Sequence, residues 1–221
     1  MHIPQTPDDS DPVPWQDRRH DLADLAALRA LYDLPGDSSL AKEVDQVHAV
    51  YRPFIEAAPF AALATLGPAG LDISPRGDAP GFVHVADPRT LLLPDRRGNN
   101  RIDSLRNIVH DPRVALLFLV PGCKEALRVN GDARISAAPA LLGRFAVDDK
   151  PPRSVLVITV RTVFFQCARA VMRSGLWDPA RHIDRARLPS AGAILDTLSG
   201  SRIDGAAYDA ALPQRQRSTL Y

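Results

Sequence analysis

Three arginines fall within Pro94-Asp95-Arg96-Arg97-Gly98-Asn99-Asn100-Arg101. Their guanidinium forks match the oxygen pairs of a phosphate. The apolar spacing that follows predicts a helix, with Ile102, Leu105 and Ile108 or Val109 on its buried face and Asp111-Pro112 at its end. Asn100 is a good N-cap for that helix, and Asp103 stands three residues later, where a capping-box acid belongs. Free N–H groups of a first helical turn, the helix dipole and the arginines together suit a phosphate monoester. Gly98 lets the backbone come close to a ligand. The same residues also suit a plain surface turn with solvated arginines.

Two further segments carry polar chemistry. Asp72-Ile73-Ser74-Pro75-Arg76-Gly77-Asp78 leaves a strand with a hydroxyl, a fixed φ, a cation and a glycine. Such a cluster can line a pocket mouth, or form a turn in which Asp78 pairs with Arg76. Phe164-Phe165-Gln166-Cys167-Ala168-Arg169, followed by Arg173-Ser174-Gly175-Leu176-Trp177-Asp178-Pro179, sets aromatics, an amide and arginines at a strand-to-helix junction. These suit a planar ring with a polar edge, or core packing by Phe164 and Trp177. Cys167 reads as an inert, buried small residue, with no histidine placed to activate it.

Other chemistries find no support. His2, His20, His48, His84, His110 and His182 are scattered, with no metal-ligand spacing among them or toward a cysteine. No phosphate loop ending in Lys-Ser/Thr, no Gly-x-Gly-x-x-Gly and no Gly-x-Ser-x-Gly elbow occurs. Across 221 residues, 27 Lys+Arg balance 26 Asp+Glu, a formal net charge of +1, which gives no drive toward nucleic acid or an anionic membrane. No apolar run reaches the roughly 18 residues of a membrane span. Met1–Trp15 is polar and proline-rich, without an apolar signal segment. Cys123 and Cys167 are then expected as free thiols in a cytoplasmic protein.

These segments must be held by the elements between them. The opening residues read as a draped arm. Leu22, Leu25, Leu28 and Leu31 predict a helix over 17–34, closed by Pro35-Gly36, and a second helix runs from Ser38 or Ser39 through Val44 and Val47. A short helix spans 51–58. Strands are expected at 60–66, 71–74, 82–85, 90–94, 114–120, 127–136 and 155–165, the first two joined by Gly67-Pro68-Ala69-Gly70. The unbroken apolar run Val114–Val120 predicts a strand buried on both faces. Leu156, Ile158, Val160 and Phe164 are expected on one side of the last strand. Helices are expected at 168–176 and 191–198. The fold class is mainly β with peripheral helices (α+β), an antiparallel barrel. The expected divisions are 1–50 (arm and helices), 51–180 (barrel) and 181–221 (helical tail).

Read in order, Ser-Pro-Arg-Gly-Asp (74–78), Arg-Arg-Gly-Asn-Asn-Arg (96–101), the alternating strand 127–136, Phe-Phe-Gln-Cys-Ala (164–168) and Arg-Ser-Gly-Leu-Trp-Asp-Pro (173–179) resemble the pyridoxamine 5'-phosphate oxidase-like family. The likeness covers about residues 40–180 and is nearest to a bacterial subgroup described as FMN-dependent enzymes. It implies a split β-barrel that binds FMN at the interface of a homodimer. It places Asn99, Asn100 and Arg101 on the family's Ser-Arg-Lys-type phosphate contacts, with Arg76, Arg96 or Arg97 supplying the charge that the asparagines lack. Ser74 is counted with Arg76 among the implied cofactor contacts. Pro94 and Asp95 fall on a strand-end pair beside the flavin, and Phe165-Gln166 on a Trp-Gln pair near the ring. Arg173 and Ser174 fall where an arginine reaches the cofactor from the partner subunit.

The family's Arg-Leu-His-Asp-Arg-like substrate motif is replaced here by Arg-Ser-Gly-Leu-Trp-Asp-Pro, so the resemblance implies an unidentified small-molecule substrate. The implied function is an FMN-dependent oxidoreductase, oxidase or reductase. The alternatives are a flavin (or haem) binder without turnover, and a structural interaction domain.

Overall fold

A computed structural model describes residues 17–221. The expected proline-rich arm, 1–15, lies outside the described residues. By internal packing the chain divides into one unit ending at Leu40 and another beginning at Ala41.

In the first unit the expected long helix is broken into a 3-10 turn, Arg18–His20, and a short helix α1, Leu25–Arg29. The aspartates are the reason. The Asp17 carboxylate accepts from Arg19 N–H and that of Asp24 from Ala27 N–H, so each starts a new turn. The leucine stripe is exposed along its length. Helix α2, Asp37–Ala41, follows and is also shorter than expected. Val44, expected in that helix, instead exchanges backbone hydrogen bonds with Val163 (3.0 and 2.8 Å). Its branched side chain suits an extended pairing better than a helix.

The second unit is α+β, built on one seven-stranded antiparallel sheet. Helix α3, Arg52–Ala57, starts with Pro53 in its first turn and buries Ile55 completely. The strands are β1 Phe60–Gly67, β2 Gly70–Gly77, β3 His84–Asp87, β4 Thr90–Asp95, β5 Arg113–Leu119, β6 Ala126–Ser136 and β7 Ser154–Gln166. Helix α4, Asp103–His110, interrupts them after β4. Around the sheet lie α5 Pro139–Arg144, α6 Arg169–Ser174, α7 Ala191–Ser199 and α8 Gly205–Ser218.

The sheet order is β2-β1-β5-β6-β7-β4-β3. It curls without closing, as the split barrel requires. Arg76 on edge strand β2 comes within 3.9 Å of Asp95 at the end of β4, with four strands between them in the order. One core fills the curl. Leu63, Val85, Leu91, Leu93, Leu116, Phe118, Leu127, Val129, Leu156 and Ile158 are almost wholly buried. Each such side chain contributes about 1.5–3 kcal/mol relative to an exposed one. Asn107 of α4 donates to the buried hydroxyl of Thr65 (3.0 Å), fixing the helix on β1.

Several expectations need correction. Strand β2 does not stop at Ser74. It runs through Pro75, set opposite Ala62 of β1, and Arg76 to Gly77, which an edge strand tolerates because a proline's missing N–H can face its unpaired side. β5 buries only Val114, Leu116 and Phe118, while Ala115, Leu117 and Leu119 line a half-open outer face. In α4, Ser104 and Ile108 are buried, whereas Val109 and the preceding residue Ile102 are exposed. In β7 the register against β6 slips at Asn130/Gly131, where Arg161 is the extra residue. The bulge resets the alternation. Val160 and Val163 both face the core, Phe165 packs against it, and Phe164 turns away under the Arg128 guanidinium (4.8 Å to the ring centre).

Candidate functional site

The link from β4 to α4 is a strained turn. Asn100 (φ 60°) and Ile102 (φ 53°) are both left-handed. This is uncommon for any residue other than glycine and a true outlier for a β-branched one. Ile102, not Asn100, holds the cap position, and no side chain caps the helix. The expected Asn100–Asp103 capping box therefore does not form. Asn99 Oδ1 instead accepts from Arg101 N–H (3.0 Å) and Arg101 Nε donates to Asp103 (2.7 Å). Because no side chain among the described residues takes the amides of the first α4 turn, they remain open to a ligand.

A cavity of about 300 Å³ opens between this turn and β2. Its walls include Ser74 and Arg76 from β2, Asp95 from the end of β4, and Arg96, Gly98, Asn99, Asn100 and Arg101 from the turn. Seven of the thirteen residues singled out from the sequence thus meet in one place: Ser74, Arg76, Asp95, Arg96, Asn99, Asn100 and Arg101. Pro94 is buried beside them, paired with Val155 in the ladder. Arg97 lines a neighbouring cavity of about 360 Å³, with Lys150, Arg153 and Tyr221. Reading the sequence missed Lys150, Arg153 and Tyr221, which only the folding of distant segments brings here.

The electrostatics are those of a basic pocket held open by acids. Arg76 faces Asp95 at 3.9 Å, and Arg153 donates to Asn100 (3.2 Å). Burial pushes the Asp95 carboxyl above its ordinary range, against the pull of Arg76 and Arg153. Asp78 does not pair with Arg76, contrary to one expected reading. Because β2 continues as a strand to Gly77, Asp78 is carried across to Arg96, whose Nε donates to it at 2.6 Å. Burial raises the Asp78 carboxyl, but hydrogen bonds from Tyr221, Ala79 N–H and Arg96 outweigh it and leave the group below its usual range.

The other predicted residues lie elsewhere. Phe165 and Gln166 end β7, paired with Leu127 and Ala126, and Lys42 Nζ sits 5.0 Å from the Phe165 ring centre. Arg173 and Ser174 are exposed on α6, and Ser174 Oγ only bonds back to Val171 C=O. Ser154, at the opposite end of β7, is the residue paired with Asp95. The 13 residues of β7 span roughly 40 Å of strand at about 3.3 Å each. Beside α6, Gly122, Lys124, Val171, Met172 and Trp177 help line a cavity of about 450 Å³, and Trp177 Nε1 donates to Cys123 C=O (2.6 Å). Trp177 is half-buried at this rim and is not a core residue, and Cys167, expected to be buried, is exposed because β7 ends one residue before it.

Comparison with known proteins adds three findings. A family model described as pyridoxamine 5'-phosphate oxidase matches residues 47–167. No curated protein matches the chain. Among solved structures, a tagged variant of HupZ from Group A Streptococcus is 18% identical, covering 54% of this chain and 99% of its own, with a TM-score of 0.46. A Clostridium acetobutylicum protein of the pyridoxinephosphate oxidase family, related to general stress protein 26 of B. subtilis, is 16% identical over 49% of this chain and 80% of its own (TM-score 0.38). General Stress Protein 26 from Bacillus anthracis is 17% identical over 52% and 88% (TM-score 0.39).

Proposed function

The chain belongs to the pyridoxamine 5'-phosphate oxidase family, and from that premise we propose that it is an FMN-dependent oxidoreductase acting on a small molecule. The observation that carries this reading is the convergence of Ser74 and Arg76 with Arg96 and Asn99–Arg101 on one small cavity, from strands on opposite sides of the sheet order. The donor set fits a phosphate ester. It offers guanidinium forks, two asparagine amides, a serine hydroxyl and the uncapped amides of α4. At about 300 Å³ the cavity stands at the small end of ligand sites. It would hold the phosphate end of FMN and leave the ring outside.

The isoalloxazine ring would supply the redox chemistry when bound. The chain's own residues bind and orient. Arg76, Arg96 and Arg101 neutralise the phosphate, and Asn99 and Asn100 share its remaining oxygens. Pro94, buried in the ladder, fixes the direction in which Asp95 leaves β4. Arg97 lends charge from the adjoining cavity. Because Phe165, Gln166, Arg173 and Ser174 lie at the far end of β7 or beyond it, they serve the cofactor of a partner subunit in a homodimer.

The outer sheet face supports that assembly. Leu71 and Ile73 on β2 are 85% and 69% exposed, and they adjoin Ala62, Ala64 and Leu66 on β1 and Leu117 and Leu119 on β5. An apolar face of this kind calls for a cover. Among the described residues no helix is long and apolar enough to cross a membrane, and Cys123 and Cys167 are both unpaired. Free thiols agree with a cytoplasmic setting.

The test is a titration of purified protein with FMN and with riboflavin, followed by quenching of flavin fluorescence and by the absorbance spectrum. The reading expects FMN to bind much more tightly than riboflavin. No binding, or equal binding of the two, would overturn it.

A further inference from the structure

The family match ends at residue 167, yet a side chain far beyond it reaches the phosphate turn. The segment after α8 brings Tyr221 against Asp78 and Arg96, 143 positions from Asp78 in sequence. Asp78 follows β2 directly, and its amide donates to Pro59 C=O (3.2 Å). Its side chain is only 5% exposed. One carboxylate oxygen accepts from Tyr221 Oη (2.7 Å) and Ala79 N–H (2.8 Å), and the other from Arg96 Nε (2.6 Å).

Arg96 is then held on three sides. Nε is bound to Asp78, Nη1 donates to Phe145 C=O (2.6 Å), and the Tyr221 ring centre lies 5.5 Å from the guanidinium carbon. Nη2 makes no hydrogen bond among the described residues, and Arg96 lines the cavity between the turn and β2. A flexible arginine normally loses side-chain freedom when it grips an anion, and a guanidinium already fixed does not. The Tyr221 hydroxyl, hydrogen-bonded to a carboxylate, is held above its ordinary range and remains a donor at neutral pH.

We infer that Tyr221 is a positioning residue for the phosphate charge: through Asp78 and across its own ring, it fixes Arg96 with one edge free for the anion. This rests on the reading of that cavity as the FMN phosphate site. The α8 segment would thereby set how strongly the protein prefers a phosphorylated flavin to an unphosphorylated one.

The experiment measures the FMN and riboflavin dissociation constants of the full chain and of Tyr221→Phe, Tyr221→Ala and Arg96→Ala, with thermal melting of each. Tyr221→Phe keeps the ring and removes only the hydroxyl, so it carries the test even if Tyr221→Ala fails to fold. The expected result is FMN affinity reduced by about fivefold in Tyr221→Phe and by about tenfold or more in Tyr221→Ala, with riboflavin unchanged. In the Arg96→Ala background, Tyr221→Phe should change nothing further, because the two act through one contact.

If Tyr221→Phe and Tyr221→Ala keep the wild-type preference for FMN, the inference falls and the site reading stands. An equal loss of both flavins marks a structural role and also overturns it. If the wild-type chain shows no preference for FMN, the site reading itself fails, and the inference with it.

Discussion

At its Ser154 end, strand β7 adjoins Asp95 and a turn in which nearly every polar side chain has a partner: Arg96 with Asp78, Arg76 facing Asp95, Arg153 with Asn100. At its Gln166 end, Arg173 and Ser174 stand in solvent, and the aromatic pair carries cations from Lys42 and Arg128. The first end gathers its polar groups around one cavity within one chain. The second presents an exposed arginine and serine beside the aromatic pair. Roughly 40 Å of strand separate the ends. On the proposed reading one chain cannot bring both to one flavin, and a two-fold related copy would supply the second end.

The sharpest way to break this comparison is at the Ser154 end. Arg76→Ala combined with Arg96→Ala should weaken FMN by about 100-fold or more, since charge-assisted bonds to phosphate are the strong ones, while riboflavin binding stays near the wild-type value. Parallel titrations decide it, and an equal fall for both ligands would deny the phosphate role. Next comes the outer sheet face. Ile73→Glu, at a position already exposed, should leave the fold intact but convert dimers to monomers in sedimentation, with flavin affinity falling about tenfold as the second half-site is lost.

A third experiment joins the two ends. Arg96→Ala and Gln166→Ala each damage both sites of a homodimer. Mixed and refolded together, they should recover intact sites in about a quarter of the total, because half of the dimers are hybrids and each hybrid has one whole site. Flavin bound per chain reads this directly, and no recovery would place Gln166 outside the site.

The contrast between the ends also explains what the sequence disclosed. The hairpin of β1 and β2 was legible because Gly67-Pro68-Ala69-Gly70 is turn chemistry between apolar runs, and α4 because Leu105 and Ile108 fall one turn apart. Arg96 and Arg101 were legible as candidate phosphate ligands because their chemistry is local. The start of α4 was not. Asn100 has the ideal capping side chain, but left-handed backbone at Asn100 and Ile102 moved the cap two residues on. Nor was the facing of Phe164, since one extra residue at Arg161 reverses the alternation beyond it. Tyr221 was invisible for a different reason: its place beside Arg96 comes from a tertiary contact with Asp78, and no local spacing encodes that.

The smallest effect concerns two aspartates with opposite behaviour. Asp95 is pushed up by burial despite its arginines, so its ionised form opposes folding, and that penalty disappears as pH falls through its raised value. Asp78 is held low, so its ionised form supports folding, and that support lasts until pH falls through its lowered value. Asp95→Asn should therefore stabilise the chain slightly at neutral pH and bind FMN a few times more tightly, because a negative charge beside the phosphate is removed. Its advantage over wild type should shrink as pH drops toward the ordinary carboxylate range, where Asp95 protonates first. Asp78→Asn should do the reverse, costing stability at neutral pH and converging on wild type only in stronger acid. Urea denaturation of both variants across that range separates them, and parallel pH profiles would show that the two carboxylates share one environment after all.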